Sequence, residues 1–104
     1  MSHQEEIDAK KDELTLSVMN ALLDHVTSNI RLVSVKLEPA NVGLYFVFDK
    51  EIDPLDLRNA EEVKILLQKD FPSDTIILHC LRIDSHERPW LGGPMGVFMR
   101  KEEF

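Results

Sequence analysis

Apolar side chains return every three or four positions through residues 5–27. Ile7, Leu14, Val18, Ala21, Leu22, His25 and Val26 fall near one face, and Met19 and Leu23 widen it. That spacing predicts an amphipathic helix. Its acids come early, at Glu5, Glu6 and Asp8, where the helix dipole favours them. Ser28-Asn29 breaks the pattern. Residues 30–38 alternate instead, with Val33, Val35 and Leu37 on one face and Ser34, Lys36 and Glu38 on the other. This is the period of a strand. Pro39-Ala40-Asn41 is a turn. Residues 42–48 then carry Val42, Leu44, Phe46 and Phe48 on one face and Gly43, Tyr45 and Val47 on the other. Apolar character on both faces predicts a central strand, and the short turn predicts a hairpin.

A polar break follows at residues 49–54. Asp53 before Pro54 suits the cap of a short helical turn with proline at its first position. Asn59, with Glu62 three residues later, resembles a capping box. A second amphipathic helix is therefore expected from there through Ala60, Val63, Leu66 and Leu67, ending near Asp70-Phe71-Pro72. Residues 75–83, apolar on both faces, predict a third strand, again central. Residues 84–94 are expected as a loop and 96–100 as a short closing strand. The expected architecture is an α+β domain in the order α-β-β-α-β-β, with two helices and a four-stranded, mainly antiparallel sheet. A single domain over 1–104 follows from the length, and the charged ends, 1–6 and 101–104, are candidates for mobility.

Composition narrows the function more by exclusion than by signature. Hydrophobic residues make up 43% of the 104 positions and charged residues 30%, which fits neither a disordered chain nor a membrane span. The formal net charge of −7 argues against direct nucleic-acid binding, because neutralising phosphates needs a cationic face. It argues equally against docking on anionic lipid and is compatible with a cationic protein partner. Cys80 is the single cysteine, so an internal disulfide and a cysteine-rich zinc site are excluded. The start of the sequence lacks a basic segment followed by an apolar stretch, so the cytoplasm is the expected location.

No catalytic set emerges. His79 and Cys80 are neighbours in a strand and point to opposite faces, so they cannot form a nucleophile pair. His79, Cys80, His86 and Glu87 match no metal-ligand spacing. Gly92-Gly93-Pro94-Met95-Gly96 lacks the Lys-Ser/Thr of a phosphate loop and precedes a strand rather than a helix. Paired carboxylates such as Asp53 and Asp56 would need a cleft for glycoside hydrolysis, and so small a domain leaves scant room for one. No cofactor, no metal and no enzymatic activity are expected.

Charge is unevenly spread. Residues 79–101 hold four basic and two acidic side chains, whereas Asp49, Glu51, Asp53 and Asp56 follow the second strand closely, with Glu61 and Glu62 just beyond. Such an acidic run beside a helix start can meet a cationic surface, although helix capping and solubility also use acids there. Trp90 sits in a loop beside Pro89 and Leu91, with Asp84 and Glu87 near it, and a loop tryptophan can anchor an interface. The candidate partner-binding residues are thus Asp49, Glu51, Asp53, Asp56, Glu61, Asp84, Glu87 and Trp90.

In size, acidity, cytoplasmic character and α+β layout, the whole chain resembles the small acidic immunity proteins that bacteria make alongside secreted toxins of the contact-dependent or polymorphic type. The resemblance implies a non-catalytic protein that binds a toxin domain tightly and neutralises it. Toxins that are nucleases carry cationic grooves, which an acidic inhibitor can enter in place of nucleic acid. No individual residue carries over from that resemblance, and a homodimer stays open. The alternatives are an acidic secretion chaperone, which would bind an effector segment in an apolar groove but usually ends in a long helix not seen here, and a small enzyme.

Overall fold

The computed structural model describes residues 3–84 and, as backbone, the strand at 95–99. The first helix, α1 (His3–Leu22), buries Leu14, Val18, Ala21 and Leu22. It stops short of the expected residue 27. Leu23 N–H donates to Asn20 O and His25 N–H to Leu22 O, tightening the last turn. The β-branched pair Val26-Thr27 follows, a poor continuation for a helix. Val26, expected on the buried face, and Met19 and Leu23, expected to widen it, are exposed.

Strands β1 (Ile30–Leu37) and β2 (Val42–Phe48) form the expected antiparallel hairpin, in register from Ile30↔Phe48 to Leu37↔Val42. Glu38 N–H donates to Asn41 O across its turn. The register shifts between Ile30 and Leu32, a bulge that places Arg31 out of the alternation.

The second helix, α2 (Pro54–Asp70), is one continuous element. Asp53, not Asn59, is its N-cap. Asp53 Oδ1 accepts from Asp56 N–H at 2.8 Å while Asp56 Oδ2 accepts from Asp53 N–H at 3.3 Å, a reciprocal capping box. Asn59 and Glu62 lie inside the helix. Strand β3 (Ile76–Arg82) then pairs with β2 in parallel, from Val42↔Ile76 to Phe48↔Arg82. The backbone of β4 (Met95–Met99) pairs antiparallel with β1, giving the sheet order β3-β2-β1-β4.

The expected four-stranded, mainly antiparallel sheet in the order α-β-β-α-β-β is corrected accordingly. The residues that carry the core run α-β-β-α-β in a mixed three-stranded sheet, β3-β2-β1, and only the backbone of β4 extends it beyond β1. The physical cause is the connection: a full helix between β2 and β3 returns the chain to the end where β2 began, so the two strands run parallel. A second correction concerns β3, which among the described residues is an edge strand and not a central one.

Both helices cover one face of the sheet. Leu14, Val18, Ala21 and Leu22 of α1 and Ala60, Val63 and Leu67 of α2 meet Val33 and Val35, the even positions of β2, and Ile76. Phe46 and Phe48 stack at 6.2 Å between ring centroids in the middle of this cluster. Polar ties brace its perimeter. Lys10 Nζ donates to Asp74 at 2.8 Å, and Ser17 Oγ donates to Asp70. His25 meets Ala21 O through Nδ1 at 2.7 Å and Glu62 Oε2 through Nε2 at 2.9 Å.

Candidate functional site

The acidic run after β2 divides into carboxylates that hold the fold and carboxylates that face solvent. Asp56, at 2% exposure, belongs to the first group. Besides its capping role it accepts from Thr27 Oγ1 at 2.8 Å and from Asn29 Nδ2 at 2.9 Å. Asn29 also donates to Glu51 O at 3.3 Å and accepts from Lys50 N–H at 2.9 Å. One asparagine thus ties the α1–β1 connection to the β2–α2 loop and to the start of α2. Asp49 is buried too, and its N–H donates to Asn29 O.

Glu51 and Asp53 are exposed. With Ser28, Asn29, Asp49 and Lys50 they line an open polar depression of about 410 Å³ at the end of β2. Asp84 lies beside this end of the sheet. Arg82 donates to it through Nε at 2.8 Å and Nη2 at 3.3 Å. This hydrogen bond, then the Asp84 charge, pushes the Arg82 guanidinium further above its usual range, and the Glu51 and Asp49 carboxylates add to the effect. The structure therefore gathers Asp49, Glu51, Asp53 and Asp84 at one end. Glu61 stands apart, further along α2, where its charge reaches the Cys80 thiol. Glu87 and Trp90, with the rest of the expected loop after Asp84, lie outside the described residues. So do His86, Gly92 and Gly93.

Two features escaped the sequence reading. Arg31 is fully buried, and its Nη1 donates to Ile83 O at 2.6 Å and to Asp84 O at 2.9 Å. It fastens β1 to the chain leaving β3, and through Asp84 it positions the acidic end. The only hint was the run Ile30-Arg31-Leu32-Val33, which breaks the two-residue period. The second feature is a stack of Tyr45 on His79, with centroids 4.5 Å apart and planes 9° from parallel. Tyr45 Oη donates to Glu38 Oε1 at 3.2 Å. Partial burial, then the Glu38 charge, raises the Tyr45 pKa. Gly43 makes room for this ring, since a Cβ there would lie 2.7 Å from Tyr45 Cε2.

His79 and Cys80 point apart, His79 to the Tyr45 stack and Cys80 toward the core. Burial is the main cause that raises the Cys80 pKa, with Glu61 second, the opposite of what an activated nucleophile needs. Among the described residues no group of three or more His, Cys, Asp or Glu side chains could hold a metal ion. No described helix is long and apolar enough to cross a membrane. The geometry offers an acidic rim on a braced scaffold.

The family model described as MafI2 immunity protein matches residues 11–102. No curated protein matches the chain.

Proposed function

Given that the chain belongs to the MafI2 immunity protein family, we propose that it neutralises a cognate antibacterial toxin by tight binding, without a catalytic step, in the cytoplasm of the cell that makes it. The family implies a toxin partner in general terms. The finer reading is that the partner surface is cationic, as the substrate groove of a nuclease would be. The observation that carries it is the acidic end of the sheet. Glu51 and Asp53 project to solvent there beside Asp49 and Asp84, in a chain of net charge −7. Acids held on a rigid frame attract a basic surface over long range and present it with a fixed pattern. Asp56 supports the reading indirectly by anchoring the loop that displays Glu51 and Asp53. Trp90, with Glu87, completes the proposed contact set as an aromatic anchor in the sequence that follows Asp84.

The test is co-expression. The toxin domain encoded beside this chain's gene is produced in a bacterial host with and without this protein. Growth arrest relieved by this chain, together with a purified complex of the two, supports the reading. Arrest that persists while soluble protein is present, with no complex in titration calorimetry, refutes it.

A further inference from the structure

β3 has an open side. In the parallel β2–β3 pair, Val42 N–H donates to Thr75 O, and Ile83 N–H donates to Phe48 O. With the register Val42↔Ile76 through Phe48↔Arg82, the odd positions of β3 bond to β2. The N–H and C=O groups of Ile76, Leu78, Cys80 and Arg82 therefore point away from the sheet. Among the described residues no strand pairs with that side. An open edge of this kind, along a strand of seven residues, is a template for one more strand.

The surroundings define what that strand would carry. On the face away from the helices, Ile77 and Leu81 are 39% and 37% exposed. On the helix side, Leu57, Glu61, Lys64 and Gln68 follow one another along one flank of α2. That flank faces β3: Gln68 Nε2 donates to Phe71 O and Asp74 O in the chain entering β3. Glu61 is exposed, and its charge acts on Cys80.

We propose that the open edge of β3 receives an extended segment of the toxin, with apolar side chains packing against Ile77 and Leu81 and, on alternate positions, a lysine or arginine facing Glu61. The alternation follows from the strand period, since neighbouring side chains of the added strand face opposite sides. This deepens the immunity reading and rests on it. Contact then has two parts: the acidic end steers the toxin in, and backbone pairing along β3 holds it.

Amide hydrogen exchange on the full chain, alone and with the toxin domain encoded beside its gene, tests the proposal. In the free protein the amides of Leu78 and Cys80 exchange quickly, while those of Ile77, His79 and Leu81, bonded to β2, are protected. Toxin binding should protect Leu78 and Cys80. Cys80→Pro removes an outward N–H and no bond to β2, so it should weaken binding by roughly tenfold or more while the circular dichroism of the fold persists. Leu16→Lys, on α1, should leave binding unchanged. If Cys80→Pro does not fold, Ile77→Glu with Leu81→Glu carries the same expectation. Three results overturn the proposal. Leu78 and Cys80 could stay unprotected in a formed complex, could already be protected in the free protein by a second copy or by this chain's own residues, or the edge variants could bind as wild type does. Failure of the wild-type protein to bind the toxin at all is a different result, and it removes the immunity reading itself.

Discussion

The side-chain amide of Asn29 donates to the carboxylate of Asp56 at 2.9 Å, across 27 residues of sequence. This single contact divides an acidic segment that reads as uniform. Asp56 faces inward and organises the β2–α2 loop, and Glu51 and Asp53 face outward on the loop it organises. Reversing the charge of Asp56 would thus test folding before it tested binding.

Asp56→Ala should destabilise the protein by about 2–4 kcal/mol, because Asp53 loses half of its capping box and the donors of Thr27 and Asn29 lose their acceptor. Asn29→Ala should also destabilise, and the double variant should cost less than the sum, because the two residues share one network. Urea unfolding of the four proteins of this cycle measures it. Strict additivity would mean that the contact carries no energy.

Arg31→Met should cost about 2–3 kcal/mol, since it removes the buried guanidinium that donates to the part-buried carbonyls of Ile83 and Asp84. Arg31→Lys keeps the charge but lacks the guanidinium fork, and should recover only part of the loss. A local signature should accompany the change. The Ile83 amide, bonded to Phe48 O, should exchange faster in the variant than in the wild type.

These two residues also show where the sequence was legible. β1 and β2 were readable because alternation and the Pro39–Asn41 turn are local signals. The cap at Asp53 was readable because proline follows it. Asn59 and Glu62 imitate a capping box equally well in one dimension, so the helix was split in two. Pro54 at the first helical position is what distinguishes the true start. Partners of Asp56 at Thr27 and Asn29 belong to another connection, and no local pattern announces them. β3 was misplaced because apolar residues on both of its faces suggest burial, whereas Ile77 and Leu81 remain exposed at an edge. Its parallel pairing was implied by the helix that connects it to β2, a topological cue that alternation does not carry. Of the candidate site, the acidic character was legible and the division into buried and exposed acids was not.

Cys80 should behave as a protected thiol. Burial raises its pKa first and the Glu61 charge second, so its alkylation at pH 8 should be slower than that of a free cysteine and should climb as the pH rises toward the shifted value. Glu61→Gln removes one of the two causes and should speed the reaction. The folded protein binds this proton more tightly than the unfolded chain does. The corresponding stability is therefore complete below the unfolded thiol pKa and is lost as the pH rises through the folded one. Iodoacetamide labelling followed by mass spectrometry checks the rate. Labelling as fast as that of an unfolded control would contradict the burial.

The acidic rim should act mainly on the rate of association. Asp53 requires care, because it is both an exposed charge and the cap of α2. Serine caps a helix about as well as aspartate, so Asp53→Ser removes the charge and keeps the cap. Combined with Glu51→Gln, it neutralises the two outward carboxylates of the depression with little disturbance to its floor. Rim charges steer encounter and contribute little once the complex is formed. The double variant should therefore associate with the toxin roughly fivefold more slowly at low salt, with dissociation nearly unchanged. Salt should slow the wild type more than the variant, so that the two rates converge as screening shortens the reach of the charges. Stopped-flow association at several salt concentrations, beside a Trp90→Ala protein, separates the contributions. A Trp90 anchor acts after contact, so its loss should appear in dissociation. Equal association rates for the double variant and the wild type at every salt concentration, with binding abolished by Trp90→Ala, would move the interface from the acidic end to the segment around Trp90.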